Sequence, residues 1–305
     1  MSCRLDEISK LKLAYVESDG SGFRRAARTL QSIWREDSNL PIGEHNENPL
    51  GSRLPTDYAK KELANYLTTG IKQVVQEELA SASDSQLYSK PRIYNDLLSS
   101  QPLCFNLFGE LKLNLNLATV VFQTLRPASV KAVKNIRFEY SPERSSERFT
   151  GDRSAFDVFV EYETLSGGRG FIGIEVKYHE SLQEPAAAHR PRYDEVAKIM
   201  SCFEPGSLPK LQRAPLQQLW RDHLLAGSMM NDSDLGYKEG AFVVIYPAAN
   251  TYCRSAIQSY RRCLTSSATF DAWTLEEVVG ILSVATQDAW VEAFRRRYID
   301  FSRLA

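Results

Sequence analysis

The sequence predicts an α/β protein: a mixed four-stranded core sheet flanked by helices, with an additional helical N-terminal region. Three observations predict it. From Pro102 onward the periodicities run α-β-β-β-α-β-α. Residues 154–163 and 170–178 read as strands joined by Ser166-Gly-Gly-Arg169, the pattern of an antiparallel hairpin. Gly240-Ala-Phe-Val-Val-Ile-Tyr246 is a short apolar run closed by Pro247, the pattern of a strand buried on both faces. A helical crossover from the hairpin to that run makes the sheet mixed and sets helices on both faces.

Taken in order, residues 1–55 are the least regular. Gly22 to Arg35 reads as a helix with Phe23, Ala26, Leu30 and Trp34 on one stripe, and Asp37 to Arg53, rich in Asn, Gly and Pro, reads as loop. A long helix is expected from Thr56, as N-cap, to Ala80, with Tyr58, Leu63, Tyr66, Leu67, Ile71, Val74 and Val75 as its apolar stripe. Residues 104–125 read as an apolar helix ending before Pro127, and 130–140 as a strand. A charged loop, Ser141 to Asp152, leads into the hairpin. Helices follow at 192–203, 215–230, 250–264, 274–283 and 287–302. Three segments result: residues 1–100, an additional helical N-terminal region; 101–265, the core; and 266–305, C-terminal helices packed on the core.

The chain has 305 residues, enough for a substantial core, with a formal net charge of −1, so bulk charge reveals no nucleic-acid partner. Cys3, Cys104, Cys202, Cys253 and Cys263 are scattered without a Cys-x-x-Cys pair, which reads as reduced thiols rather than a disulfide framework or zinc site. His45, His179, His189 and His223 show no metal-ligand spacing. The N-terminus is polar, and no apolar run is long enough to span a bilayer, so a cytoplasmic protein with no membrane partner is expected.

The chemistry is concentrated on the hairpin. Asp157 lies in Ser154-Ala-Phe-Asp-Val-Phe-Val160, and Glu175 and Lys177 lie in Phe171-Ile-Gly-Ile-Glu-Val-Lys177. Period two puts Glu175 and Lys177 on one face and Ile172, Ile174 and Val176 on the other. A carboxylate and an ammonium on so apolar a strand are costly unless they are paired or hold a metal. With Asp157 they make two carboxylates and a lysine, which suits Mg²⁺-assisted phosphodiester hydrolysis. The bland alternative is a structural ion pair at a strand end.

These residues and the element order resemble the PD-(D/E)XK nuclease superfamily, the fold of many restriction endonucleases and of several repair and recombination nucleases. Its motif is an acidic residue on the second core strand and (D/E)-x-K on the third, here Asp157 and Glu175-Val176-Lys177. The Pro of the motif is absent, with Ala155 and Phe156 preceding Asp157. Ser100 to Gly109, Gly151 to Asp157 and Gln217 to Arg221 further resemble a bacterial restriction-endonuclease-like family. The resemblance implies a restriction-endonuclease-like core and Mg²⁺, with Mn²⁺ able to substitute, held by Asp157, Glu175 and the Val176 carbonyl. Lys177 would orient or help deprotonate the attacking water. The superfamily often adds a further carboxylate, for which Glu139 is preferred over Glu110; either is as readily a surface carboxylate.

Double-stranded DNA is the implied partner. Arg137, Arg144, Arg148, Arg153, Gln217 and Arg221 are its candidate contacts, and Ser141 to Thr150 is the segment expected to order on DNA. Packing around Trp220 is an equally good account of the helix that carries Gln217, Gln218 and Arg221. Arg24, Arg25, Arg28, Arg254, Arg261, Arg262 and Arg295 to Arg297 are further basic clusters, each also readable as a solvated helix face. A homodimer is among the expectations, because restriction-like enzymes often pair to cut both strands. The functional expectation is a Mg²⁺-dependent DNA endonuclease of restriction or phage-defence type. The alternatives are a repair or recombination nuclease acting on structured DNA, or a non-cleaving nucleic-acid-binding protein of the same fold.

Overall fold

The computed structural model describes residues 2–82 and 86–304. In chain order its elements are helices α1 (Ser2–Leu11) and α2 (Gly22–Asp37), strands β1 (Gly43–His45) and β2 (Asn48–Leu50), helices α3 (Thr56–Glu62), α4 (Thr69–Ser81), α5 (Arg92–Asn95), α6 (Ser100–Leu113) and α7 (Leu115–Leu125), strands β3 (Val130–Tyr140), β4 (Phe156–Thr164) and β5 (Arg169–Val176), helices α8 (Pro191–Met200), α9 (Leu208–Leu211) and α10 (Gln217–Met230), strand β6 (Tyr237–Tyr246), helix α11 (Thr251–Arg261), strand β7 (Phe270–Thr274), and helices α12 (Leu275–Ala285) and α13 (Ala289–Tyr298). They form two compact units. One draws on Met1–Ser81, Tyr88–Glu110 and Leu282–Ala305, the other on Ala82–Leu87 and Leu111–Ile281.

In the first unit the long helix expected from Thr56 is two helices. Leu63 ends α3 in the left-handed region, at φ 46°, and α4 begins at Thr69. Thr56 is the first helical residue and not the cap; its hydroxyl accepts from Asn95 Nδ2 at 2.8 Å. The interior is unusually polar. Arg297 of α13 is fully buried, stacks over the Trp34 ring at 3.9 Å, and donates to Gln31 Oε1 at 3.0 Å and to the Asn65 carbonyl at 2.7 Å. That network ties α13 to α2, and residues 282–304 fall in the same compact unit as the N-terminal helices.

The second unit holds the sheet. Its order is β3-β4-β5-β6-β7, with β3 and β5 antiparallel to β4, and β6 parallel to both β5 and β7. The sheet therefore has five strands where sequence predicts four. The added strand, Phe-Asp-Ala-Trp-Thr, is a five-residue edge strand directly ahead of α12, too short to carry a period-two signal of its own. The apolar stretch 104–125 breaks at Asn114, whose side chain caps α7 by accepting from Leu117 N at 3.0 Å.

Helices cover the sheet, so β5 is buried on both faces beyond its first residue. On the face that carries Glu175, Phe159, Phe171, Phe242 and Val244 pack with Tyr193, Leu219, Trp220, Ile257 and Tyr260 of α8, α10 and α11. Gly173 of β5 leaves room for the Phe156 ring; a Cβ there would lie 2.4 Å from it. The core fills the middle of this face and leaves the strand ends at Asp157 and Glu175 to face a cavity.

Candidate active site

Strand register brings the acidic side chains level. The β4–β5 pairing reaches Val158 opposite Ile174, and one step further sets Asp157 opposite Glu175. On β3, Glu139 lies between the pairs Phe138–Val158 and Tyr140–Phe156, level with Asp157. Residues opposite one another across an antiparallel pair share a face. Glu139, Asp157 and Glu175 thus form one acidic row across three strands, and all three line a cavity of about 350 Å³. Glu139 takes the left-handed region, at φ 48°, a strained position for a residue other than glycine.

Like charges set side by side repel unless cations answer them. On β5 the answering cation is Lys177. Its Nζ donates to Glu175 Oε1 at 2.7 Å and to Gln218 Oε1 at 3.2 Å, while Gln218 Nε2 donates to Glu175 Oε1 at 2.9 Å. Glu175 and Lys177 are each only 7% exposed. Burial works against the Lys177 charge, but Glu175, Glu180 and Asp157 outweigh it and hold the ammonium above its ordinary range. Asp157 is steadied by the Val176 amide, which donates to its Oδ2 at 2.8 Å. Desolvation, then the Glu175 charge, nonetheless push its carboxyl well above the usual range, against the pull of Lys177. Burial also raises Glu139, although Arg144, at 2.6 Å, opposes the shift. The site carries more carboxylate than its own cations satisfy.

Helix α10 closes the cavity with two adjacent rows. Gln217 and Arg221, four residues apart, hold neighbouring segments. Gln217 Nε2 donates to the Ala187 carbonyl at 2.7 Å and its Oε1 accepts from Ala187 N at 2.6 Å. Arg221 Nε donates to Asp152 Oδ2 at 2.7 Å and its guanidinium reaches Ser154 Oγ at 3.2 Å. The next row, Gln218 and Asp222, belongs to the acidic cluster: Gln218 touches the Glu175–Lys177 pair and Asp222 lines the cavity. Asp152, buried beside the cavity wall, also accepts from the Tyr193 hydroxyl at 2.6 Å and from Ser154 N at 2.9 Å. Burial would raise its carboxyl, yet the Tyr193 hydroxyl and Arg221 draw it below the usual range.

A family model of the PD-(D/E)XK nuclease superfamily matches residues 17–300. The chain belongs to this superfamily. No curated protein and no solved structure matches it. Membership agrees with the mixed sheet and with Asp157 and Glu175-Val176-Lys177 standing at the ends of adjacent strands. Members of the PD-(D/E)XK superfamily are generally metal-dependent nucleases. The donor set fits such an ion. Asp157 and Glu175, which line the cavity, are hard carboxylate donors, Val176 is not among the lining residues, and among the described residues no Cys or His lines it. Among the described residues no three Asp, Glu, His or Cys side chains gather into a ligand cage. One or two carboxylates with remaining positions open to water is how proteins bind Mg²⁺, which surrenders its hydration shell reluctantly.

The basic candidates of the sheet-bearing unit are mostly paired within it. Arg137 pairs with Glu161 at 3.1 Å and stacks over Tyr140, Arg144 is bound to Glu139, and Arg148 to Asp232 and to Asp234 at 2.9 Å. Arg153 is exposed, lines the cavity and has no side-chain partner among the described residues. Glu110 is bound by the Thr68 hydroxyl and is not among the cavity-lining residues. In the other unit, Arg24 and Arg28 pair with Asp19 at 2.8 and 2.6 Å. The four cysteines whose side chains are described, Cys104, Cys202, Cys253 and Cys263, are buried free thiols; the Cys3 side chain lies outside the described ones. Among the described residues no helix is long and apolar enough to cross a membrane.

Sequence does not single out Asp222, and it takes Gln217 and Arg221 rather than Gln218 as the candidates on this helix. The i, i+4 spacing holds for both rows of α10. Choosing between them needs the rotational phase of the helix, and each residue turns that phase by about 100°.

Proposed function

We propose that the chain is a Mg²⁺-dependent DNA endonuclease of the restriction or phage-defence type, with Mn²⁺ able to substitute and double-stranded DNA as substrate. The observation that carries this reading is the acidic row ending in the Glu175–Lys177–Gln218 ring, set in the wall of an open cavity. A purely structural ion pair would need no further carboxylates beside it. Asp157 and Glu139 set two further carboxylates beside that pair, a cost that a bound cation would offset.

A cation held by Asp157, Glu175 and the Val176 carbonyl would supply charge neutralisation at the scissile phosphate and lower the pKa of a bound water. The side chains do the positioning. An ammonium has three N–H donors, of which Lys177 directs two at Glu175 and Gln218, so one remains for the attacking water or a phosphate oxygen. Gln218 fixes both neighbours and so holds that donor in place. Glu139 extends the acidic row toward Arg144. For the DNA backbone, Arg153 is immediately available; Arg137, Arg144, Arg148 and Arg221 would exchange a carboxylate for a phosphate, and Gln217 would have to release Ala187. The restriction or defence role rests on the resemblance of the segments at Ser100, Gly151 and Gln217, and residues 1–100 are the proposed recognition or oligomerisation region.

The test is cleavage of supercoiled plasmid and phage DNA with Mg²⁺, Mn²⁺ or EDTA by wild type and Lys177→Ala. Metal-dependent cutting by the wild type, lost in the variant while DNA binding persists, is expected. Discrete bands would mark sequence specificity, and a smear a structure-directed or nonspecific nuclease. Linear product without a nicked precursor would point to the proposed homodimer. Equal cutting by Lys177→Ala would overturn the site assignment.

A further inference from the structure

The segment between β5 and α8 forms part of the cavity's rim, and its hold on the rest of the unit is slight. Residues 183–190 are all exposed, and in residues 181–189 no backbone group bonds to another backbone group among the described residues. Glu184, Pro185, Ala186 and Ala187 nevertheless line the cavity. The segment is fixed at both ends. On the β5 side the buried Asn250 donates from Nδ2 to the Tyr178 and Glu180 carbonyls at 3.1 and 3.0 Å, and Leu182 is anchored in the core. On the α8 side the His189 ring stacks on Trp220, centroids 6.1 Å apart, and its Nε2 lies 2.9 Å from Asp194 Oδ2. Between these ends one side chain grips the backbone: Gln217, which donates to the Ala187 carbonyl and accepts from the Ala187 amide. A segment with so few backbone hydrogen bonds and so little buried apolar surface is the kind that opens locally at low cost.

Access to the acidic row is the problem this segment poses. The cavity holds about 350 Å³, and a duplex whose major groove alone is about 12 Å wide cannot enter it. One strand has to be laid in across the rim. There the exposed Glu184 sets a negative charge in the path of a phosphate. We propose that residues 183–188 are a strap that leaves the rim before DNA reaches Asp157 and Glu175, and that Gln217 is its latch. While the latch holds, apparent DNA affinity is lowered in proportion to the fraction of molecules that are open. Weakening the latch therefore tightens binding. A Gln217 whose main part was to touch DNA, or only to support the fold, would give weaker or unchanged binding when replaced.

This inference rests on the DNA-cleaving reading above, and the experiment separates the two. The full chain carrying Lys177→Ala, so that the DNA stays whole, is compared with the same chain carrying Gln217→Ala or His189→Ala in addition. Affinity for a short labelled duplex in Mg²⁺ is measured together with amide hydrogen exchange. Exchange over residues 183–189 should quicken in both added variants. DNA affinity should rise about three- to tenfold with Gln217→Ala, and in the same direction with His189→Ala, which loosens the strap from outside the cavity. Should Gln217→Ala also loosen α10, seen as faster exchange along that helix, His189→Ala carries the test. A strap that exchanges faster while DNA binding stays equal or weakens would overturn the gate, as would strap exchange that neither variant changes. Binding confined to the loosened variants would support it. No DNA binding by any of the three proteins would overturn the DNA-cleaving reading, and this inference with it.

Discussion

His223 shows how one residue carries a pH signature for the whole unit. It is fully buried on α10, with Nδ1 2.9 Å from the Tyr260 hydroxyl and Nε2 2.9 Å from the Thr269 hydroxyl, and Phe203, Phe242 and Phe270 pack around the ring. Burial lowers its pKa to about 3. In the unfolded chain a histidine titrates near about 6.5. Between those values the unfolded state binds the extra proton, so stability rises with pH through that window and is lost as pH falls. His223→Gln, which cannot titrate, is expected to be less stable than wild type near pH 7, with a gap that shrinks toward about pH 4. Urea unfolding at both pH values measures it; a gap that stays constant would remove His223 as the source. The residue scale is also where the catalytic prediction lies. Lys177→Ala should abolish cutting, since no other ammonium lies within reach of Glu175 among the described ion pairs.

At the scale of elements, the segment ahead of β4 is held by one carboxylate. Asp152 collects the Tyr193 hydroxyl of α8, Arg221 of α10, and Thr150 and Ser154 of its own loop. Breaking such a pair from one side leaves the partner buried and uncompensated, a loss of about 3–5 kcal/mol, or less here because Arg221 is partly exposed. Asp152→Ala should therefore shift the denaturant midpoint strongly downward, and Arg221→Ala should shift it less. Equal and small shifts would mean that α8, α10 and the loop are joined by apolar packing alone. Because Asp157 follows Asp152 by five residues, the same contacts set the angle at which β4 enters the site.

At the scale of the whole molecule, a net charge of −1 leaves the proposed DNA binding to local groups. Each phosphate neutralised by a cation adds about one to the salt dependence of binding. Arg153, exposed and unpaired at the cavity, should contribute fully: Arg153→Ala is expected to weaken DNA binding at all sequences and lower the salt slope by about one without changing the melting temperature. An unchanged slope would mean that the DNA runs elsewhere. Charge alone overstates the basic surface, because Arg24, Arg28, Arg137, Arg144 and Arg148 already answer acidic groups of the same chain.

Sequence by itself determined the β4–β5 hairpin and the common face of Glu175 and Lys177. Period-two alternation and a Gly-Gly turn are local signals, so the hairpin and the shared face of Glu175 and Lys177 were legible from spacing alone. The break at Leu63 was not, because the apolar stripe continues across it and only a left-handed backbone stops the helix. Nor was β7, whose five residues form a strand because β6 offers an open edge. The acidic row needed strand register, which sets Glu139 and Asp157 level. Asp222 needed the rotational phase of α10, which follows from burying Leu219, Trp220 and Leu224. Residue types and local periods are written in the chain. Which carboxylates meet was decided by packing, which brings together β3, β4, β5 and α10, segments far apart in sequence.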